Sequence, residues 1–339
     1  MTFKERFFRG EIPFDEIDRY TGHWNFSDET CTLAQYLGLN AEEEDVWISQ
    51  SDEALEALLE KEKKAYASCP VKILFTDLDG TLLNDQKQIS AANRDAIDRA
   101  LHAGHKIVLA TGRALSSTLP IASDLGLDRD GCYIIAFNGG QIYDCHTGRF
   151  LLDCTLPLEY VSRIFEEAAR AGIHCQTYED EFLLSPCEDE EMIYYIGSTN
   201  SPCKIVEDIT GSLLKEPNKV LLIDLHDHQR LVDFRRHMQP YFEGRMDSMF
   251  SSTFYLEIVP RGVSKGNALH YLSNYLNIPM ENTVAAGDSE NDLPMILEAH
   301  IGAVLSNGLP SVKEQADYVT EKDNNHDGFA EIIDKFILN

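Results

Sequence analysis

The chain has 339 residues, enough for two or three globular units at roughly 150 residues each. Hydrophobic residues make up 43% and charged residues 25%, which excludes wholesale disorder and low-complexity repeats. With 57 Asp and Glu against 29 Lys and Arg the formal charge is −28, and since nucleic acids and anionic membranes are held by cations, neither is an expected partner. A phosphorylated small molecule stays open, because its site can be locally positive.

No apolar run approaches the ~20 residues of a bilayer helix. The start Met1-Thr2-Phe3-Lys4-Glu5-Arg6 shows no apolar signal segment, so the cytosol is the default location. The eight cysteines contain no C-x-x-C pair. Their spacing gives neither a structural zinc nor a disulfide framework, and reduced thiols, mostly in the core, are expected.

Residues 1–70 carry 16 acidic and 7 basic side chains and lack the short apolar runs that begin at Val71. Three helices are expected: Asp28 to Leu37 behind a Ser27 cap, Asn40 to Trp47 opened by the capping box Asn40-Ala41-Glu42-Glu43, and Ser51 to Tyr66 with Leu55, Leu58 and Leu59 on one face. Ala67-Ser68-Cys69-Pro70 reads as a linker. The first two helices have a helix-turn-helix cadence, but the second opens Glu42-Glu43-Glu44-Asp45, carboxylates that would face phosphates. A small helical module that docks on its own chain or on a protein partner is expected instead.

From Val71 the pattern alternates. Val71–Thr76 reads as a buried parallel strand, Ser90 caps a helix to Ala103, His105–Ala110 is a second strand, a helix lies between Leu115 and Gly126, and Tyr133–Phe137 is a third strand. Such β-α alternation builds a doubly wound sheet with its ligand site at the carboxyl ends of the strands. From Cys154 to Ser252 a second α/β unit reads as an insertion. It holds helix Leu158–Ala171, strands Ile173–Tyr178 and Glu181–Leu184, helix Asp189–Ile196, strand Lys219–Leu225 and helix Asp227–Met238. The main pattern then resumes with strand Tyr255–Val259, helix Ser264–Leu276, strand Thr283–Ala286, helix Glu290–Ala299 and strand Ile301–Leu305.

The sharpest chemical signal is Thr76-Asp77-Leu78-Asp79-Gly80-Thr81. A buried strand delivers two acids, two residues apart and so on one side, into a turn that Gly80 permits. Thr111 and Gly112 follow the second strand, where a hydroxyl and a bare backbone N–H can hold phosphate oxygens. Asp288 and Asp292 follow the strand Thr283–Ala286, at the same sheet edge, though acids there also serve as plain helix caps.

These strings, Asp77-Leu78-Asp79-Gly80-Thr81, Leu109-Ala110-Thr111-Gly112-Arg113, Ser264-Lys265-Gly266 and Gly287-Asp288-Ser289-Glu290-Asn291-Asp292, occur in order over the chain from Val71 to its end. That part resembles the haloacid dehalogenase (HAD) superfamily, most closely its Cof-like hydrolases; residues 1–70 lie outside the resemblance. It implies an α/β fold: a doubly wound, mostly parallel HAD-like core (71–153 and 253–339) with an inserted α/β cap (154–252), here preceded by the α-helical module.

The resemblance further implies a phosphatase of small phosphorylated metabolites. Asp77 is then the nucleophile that forms an aspartyl-phosphate, and Asp79 the acid and base for the leaving oxygen and for water. Lys265 neutralises Asp77 and the phosphoryl group, while Thr111, Gly112, Lys265 and Asn291 bind phosphate. Mg2+ is the implied cofactor, held by Asp77, the backbone carbonyl of Asp79 and Asp288, with Asp292 orienting or bridged by water. Arg113 is open between substrate contact and ion pair, and Asn138 between turn and site rim. In the cap, His174, Tyr178, Glu179 and Arg245 could reach substrate, but a surface or packing role is the expectation for each. A phosphomutase, a dedicated sugar-phosphate phosphatase, or a regulator using residues 1–70 as a binding module are the competing expectations.

Overall fold

The computed structural model describes residues 2–27, 31–179, 182–199 and 201–339. Residues 2–27 and 31–66 contain helices α1 (Phe3–Phe8), α2 (Ile17–Asn25), α3 (Leu33–Leu37), α4 (Ala41–Ser49) and α5 (Asp52–Tyr66). The first two were not expected from sequence. α1 is short, but a reciprocal Thr2–Glu5 capping box starts it, and Phe3, Phe7 and Phe8 bury one aromatic face against Phe14, Leu55 and Leu59. The helix expected from Asp28 differs as well. Its residues 28–30 lie outside the described residues, Thr32 and Gln35 form the capping box of α3, and the Ser27 hydroxyl donates to Trp24 O at the end of α2.

The core follows as β1 (Ile73–Thr76), α6 (Ala91–His102), β2 (Lys106–Ala110), α7 (Leu115–Asp124), β3 (Cys132–Ala136), β4 (Gln141–Asp144) and β5 (Arg149–Asp153). The inserted part contains α8 (Leu158–Ala171), β6 (His174–Glu179), β7 (Phe182–Ser185), α9 (Glu190–Thr199), β8 (Cys203–Ile205), α10 (Ile209–Ser212), β9 (Val220–Ile223), α11 (His228–Phe242), β10 (Met246–Ser252) and β11 (Tyr255–Pro260). Glu181, expected to open β7, is outside the described residues. The chain returns with α12 (Lys265–Tyr275), β12 (Thr283–Gly287), α13 (Leu293–Glu298), β13 (Ile301–Val304) and, after a short turn of helix, β14 (Tyr318–Val319).

The core sheet runs β14-β13-β12-β1-β2-β3-β4-β5, parallel through β3 and closed by the antiparallel hairpin β4-β5. β1 is central, which explains its unbroken apolar run: Leu74 packs on one face with Ile107 and Ile134, and Phe75 on the other with Val108, Leu269 and Leu272. The second sheet runs β10-β11-β9-β6-β7-β8. Here the sequence reading needs correction: Tyr255–Val259 does not resume the core. β11 pairs antiparallel with β9 and β10, and its Leu256 and Ile258 enter the apolar cluster under α8 and α11, so residues 253–260 stand in the cap sheet. An apolar, alternating strand does not by itself say which of two sheets it joins.

The helices α1, α4 and α5 dock at the far end of α12. Asn274 Nδ2 donates to Glu5 Oε1 (2.7 Å), Asn277 Nδ2 to Glu62 Oε2 (3.0 Å), and Lys4, paired with the buried Glu43, reaches Asn274 O (3.4 Å). Only Cys132 and Cys175 are buried thiols, and Cys187 and Cys203 are exposed, so the cysteines are less a core set than composition suggested. Among the described residues no helix is long and apolar enough to cross a membrane.

Candidate active site

The parallel ladder continues one residue past the strands and so aligns their ends. Asp77 N donates to Ala286 O (2.9 Å) and Thr111 N to Ile135 O (2.8 Å), which brings Asp77, Thr111 and the turn after β12 to one sheet edge. Gly80 turns the chain there with φ +86°; a Cβ would stand 2.7 Å from Asp288 Oδ2, so the close approach of this turn to Asp288 requires glycine. Carboxylate oxygens of Asp77, Asp288 and Asp292 then lie within 4.8 Å of one another.

Lys265, fully buried at the start of α12, donates to Asp77 Oδ1 and to Asp292 Oδ1, both at 2.6 Å. Asp292 Oδ2 accepts the backbone N–H groups of Asp288 and Ser289 (3.0 Å each), while Asp288 accepts from Thr81 and Ser289 hydroxyls (3.0 Å each). Every Asp292 oxygen is thus engaged, as befits a group that orients its neighbours. Burial raises Asp77 well above the ordinary carboxylate range, opposed by Lys265 and reinforced by Asp292, Asp288 and Asp79. Asp288 is raised as well, by burial and then by Asp292. The two neighbouring carboxylates hold Lys265 protonated against the cost of its burial. Lys265 comes up beneath Asp77, with its ammonium engaged by Asp77 and Asp292.

The adjoining cavity holds about 410 Å3, and Asp77, Asp79, Thr111, Gly112 and Asn291 line it from the core. Asp79 stands outside the three-carboxylate cluster and is held by cations. Arg113 grips it through Nε (2.6 Å) and Nη2 (2.7 Å), and Lys87 adds a third contact (2.6 Å). Despite the opposing effect of burial, these cations bring the Asp79 carboxyl down to about 2. Arg113 is thus an ion-pair partner of Asp79 while it also lines the cavity, and Asp79 is ionised in this arrangement.

His174, Tyr178, Glu179 and Arg245 do not line the cavity and have packing or surface partners. Tyr178 OH meets Tyr195 OH (2.5 Å), Glu179 accepts from Leu214 N (2.7 Å), Arg245 donates to Tyr241 O (3.0 Å), and His174 faces Asp189 (2.7 Å). Lys219 and Glu257, which sequence reasoning missed, take their place. Lys219 Nζ donates to Gly112 O (2.6 Å) and pairs with Glu257 Oε2 (2.8 Å); that oxygen also accepts from Asn138 Nδ2 (2.7 Å), whose Oδ1 accepts from Asn291 Nδ2 (3.1 Å). Two buried side chains of the cap sheet thus hold the Gly112 loop and Asn291. The one available signal was a charged residue beside each apolar strand, Lys219 before Val220 and Glu257 between Leu256 and Ile258. The outer wall is made by Tyr194, Tyr195, Ser198, Thr199, Ser251, Ser252, Phe254 and Tyr255. A larger cavity, about 560 Å3, lies between the N-terminal helices and α12 and contains none of the motif residues.

The profile of the haloacid dehalogenase-like hydrolases matches residues 74–333. A putative phosphatase of Streptococcus pyogenes is 32% identical over 280 residues, 79% of this chain and 99% of that one. A Bacillus subtilis protein named 5-amino-6-(5-phospho-D-ribitylamino)uracil phosphatase is 29% identical over 291 residues, 79% of this chain and 98% of its own. Among solved structures, a haloacid dehalogenase-like hydrolase from Bacteroides thetaiotaomicron superposes with a TM-score of 0.72 at 29% identity, over 78% of this chain and 99% of that one. With the two-sheet architecture and the shared sheet edge that gathers Asp77, Thr111, Lys265 and Asp288, these likenesses show that the chain belongs to the haloacid dehalogenase-like hydrolases, among their Cof-like phosphatases.

Proposed function

We propose that the protein is a Mg2+-dependent phosphatase of small phosphorylated metabolites that works through an aspartyl-phosphate on Asp77. The observation that carries this reading is the setting of Asp77: Lys265 holds Oδ1 at 2.6 Å, while the carboxylate borders a cavity with Thr111, Gly112 and Asn291. One oxygen is charge-paired and the other is left to attack phosphorus.

The donor set fits a hard cation. Three carboxylates bring only oxygens within 4.8 Å of one another, three formal negative charges against the single buried cation Lys265. Asp77, Asp288 and the Asp79 carbonyl would hold Mg2+, with Asp292 orienting the turn. When bound, the ion neutralises the charge that carboxylates and phosphate bring together.

In the first step an Asp77 oxygen bonds to phosphorus and the ester P–O bond breaks, the leaving oxygen taking a proton from Asp79. In the second, Asp79 takes a proton from water, whose oxygen displaces the Asp77 carboxylate and releases phosphate. The ionised Asp79 suits the second step as it stands. The first requires substrate entry to loosen the Arg113 and Lys87 contacts so that Asp79 can carry a proton.

The outer wall offers the hydroxyls of Tyr194, Tyr195, Ser198, Thr199, Ser251, Ser252 and Tyr255, a lining that suits a polyhydroxylated leaving group. The ribityl phosphate in the name of the Bacillus subtilis relative is in keeping with that class. Phosphate release from a panel of sugar and polyol phosphates, with Mg2+ and with a chelator, tests the reading. Asp77→Asn should lose about four to six orders of magnitude in turnover. Comparable turnover in that variant, or full activity in chelator, would refute it, and transfer of the phosphoryl group without phosphate release would mark a mutase.

A further inference from the structure

A second group of metal-ligating side chains stands in the inserted part, remote from Asp77 in sequence and of different chemistry. His174 Nδ1, Cys187 Sγ and an Asp189 carboxylate oxygen lie within 4.8 Å of one another, Nδ1 to Oδ2 at 2.7 Å and Sγ to Oδ2 at 3.2 Å. Bond lengths of about 2.0–2.3 Å at a tetrahedral ion separate ligand atoms by roughly 3.3–3.7 Å, so outward movements of about half an ångström accommodate one.

Three features make this more than a polar cluster. First, the His174 side chain is buried and its other nitrogen, Nε2, faces the carboxamide oxygen of the buried Gln176 at 3.0 Å. That contact fixes the ring with Nδ1 toward Asp189, as the outer hydrogen bond of a metal-bound histidine does. Second, the two carboxylate oxygens of Asp189 are divided: Oδ1 caps α9 by accepting Met192 N (3.0 Å), which leaves Oδ2 for His174 and Cys187. Third, Cys187 is exposed and the Asp189 side chain is 32% exposed, so an ion has an entry path and an open fourth position for water. The run Glu188-Asp189-Glu190-Glu191 makes the approach electronegative.

We propose that His174, Cys187 and Asp189 form a binding site for a divalent transition ion of the Zn2+ and Co2+ class, which ties the start of α9 to β6. The nitrogen–sulfur–oxygen set selects borderline ions over Mg2+, whereas the Asp77 cluster, all oxygen, does the reverse. α9 carries Tyr194, Tyr195, Ser198 and Thr199 of the cavity wall, so the ion would steady the surface that meets the leaving group. Spacing in the sequence does not show the site, because His174 comes from a strand that precedes the other two ligands by a hairpin.

The test is Co2+ titration of the full chain with excess Mg2+ present to fill the acidic site. One equivalent should produce a thiolate-to-Co2+ charge-transfer band. The band should vanish in Cys187→Ser and persist in Cys203→Ser, and Gln176→Leu should weaken Co2+ by about 10–100-fold. Absence of the band in the wild type, or its survival in Cys187→Ser, overturns the proposal. Neither result bears on phosphatase activity, which Asp77→Asn tests separately.

Discussion

The N-terminal helices and the cap meet the catalytic core through the same device and to different ends. Each buries a lysine against a glutamate of its own region, Lys4 with Glu43 and Lys219 with Glu257, and each lysine donates to a core backbone carbonyl, Asn274 O at 3.4 Å and Gly112 O at 2.6 Å. Desolvation roughly offsets the attraction within such pairs, so they set geometry more than they add stability. The first pair sits at the Tyr275 end of α12, about 16 Å of helix away from Lys265 at the other end. The second opens on the cavity beside Asp77. One arrangement docks a module; the other finishes a phosphate loop with residues from another sheet.

The contrast can be broken at several points. The largest effect should come from Phe3→Ala, which empties the aromatic centre of the N-terminal core and should cost about 3–5 kcal/mol by urea unfolding, with kcat on a small substrate little changed. A parallel collapse of kcat would mean that the module shapes the active site. Next is Lys219→Met, which leaves Glu257 buried without its cation and frees Gly112 O. We expect kcat/KM to fall by about 30–100-fold, some 2–3 kcal/mol of transition-state stabilisation, and the equivalent Lys4→Met to leave it unchanged. Equal kinetic losses in both variants would erase the distinction. Asn274→Ala removes the donor to Glu5 and should cost about 1–2 kcal/mol of stability, read as a lower thermal midpoint at unaltered turnover.

A further effect is one of pH. Burial and the nearby Glu43 push the Glu62 carboxyl up from 4.5 to about 8. Between those values the folded chain keeps a proton that the unfolded chain has released, so this group's contribution to stability declines as pH rises from about 4.5 through about 8. Glu62→Gln should flatten that part of the profile, and an unchanged slope would assign the dependence to other groups.

The candidate site was legible where its parts are local. Asp77 and Asp79 follow one buried strand, Thr111 and Gly112 another, Asp288 and Asp292 a third, and strand ends in a parallel sheet share an edge whatever the loops do. Lys265 was legible as a partner of Asp77, but its place beneath that carboxylate depends on how α12 packs against the sheet. The cap contacts were not legible. His174, Tyr178, Glu179 and Arg245 are as polar or aromatic as Lys219 and Glu257, and only the pairing of β9 with β11 and their lean toward the core select the latter two. The aromatic helix α1 was missed for a related reason: six residues carry too short a period to read, and the helix owes its stability to the core it joins.

Composition and strand-end motifs thus determined the α/β class, the sheet edge and the acids that meet there, because these follow from neighbours in the chain. The tertiary structure alone decided that Asp79 is clamped by Arg113, that β11 serves the cap, and that Lys219 and Glu257 complete the site. Each rests on contacts between segments tens to hundreds of residues apart, in which the energy of a pair depends on burial and distance as well as on the residues' identity.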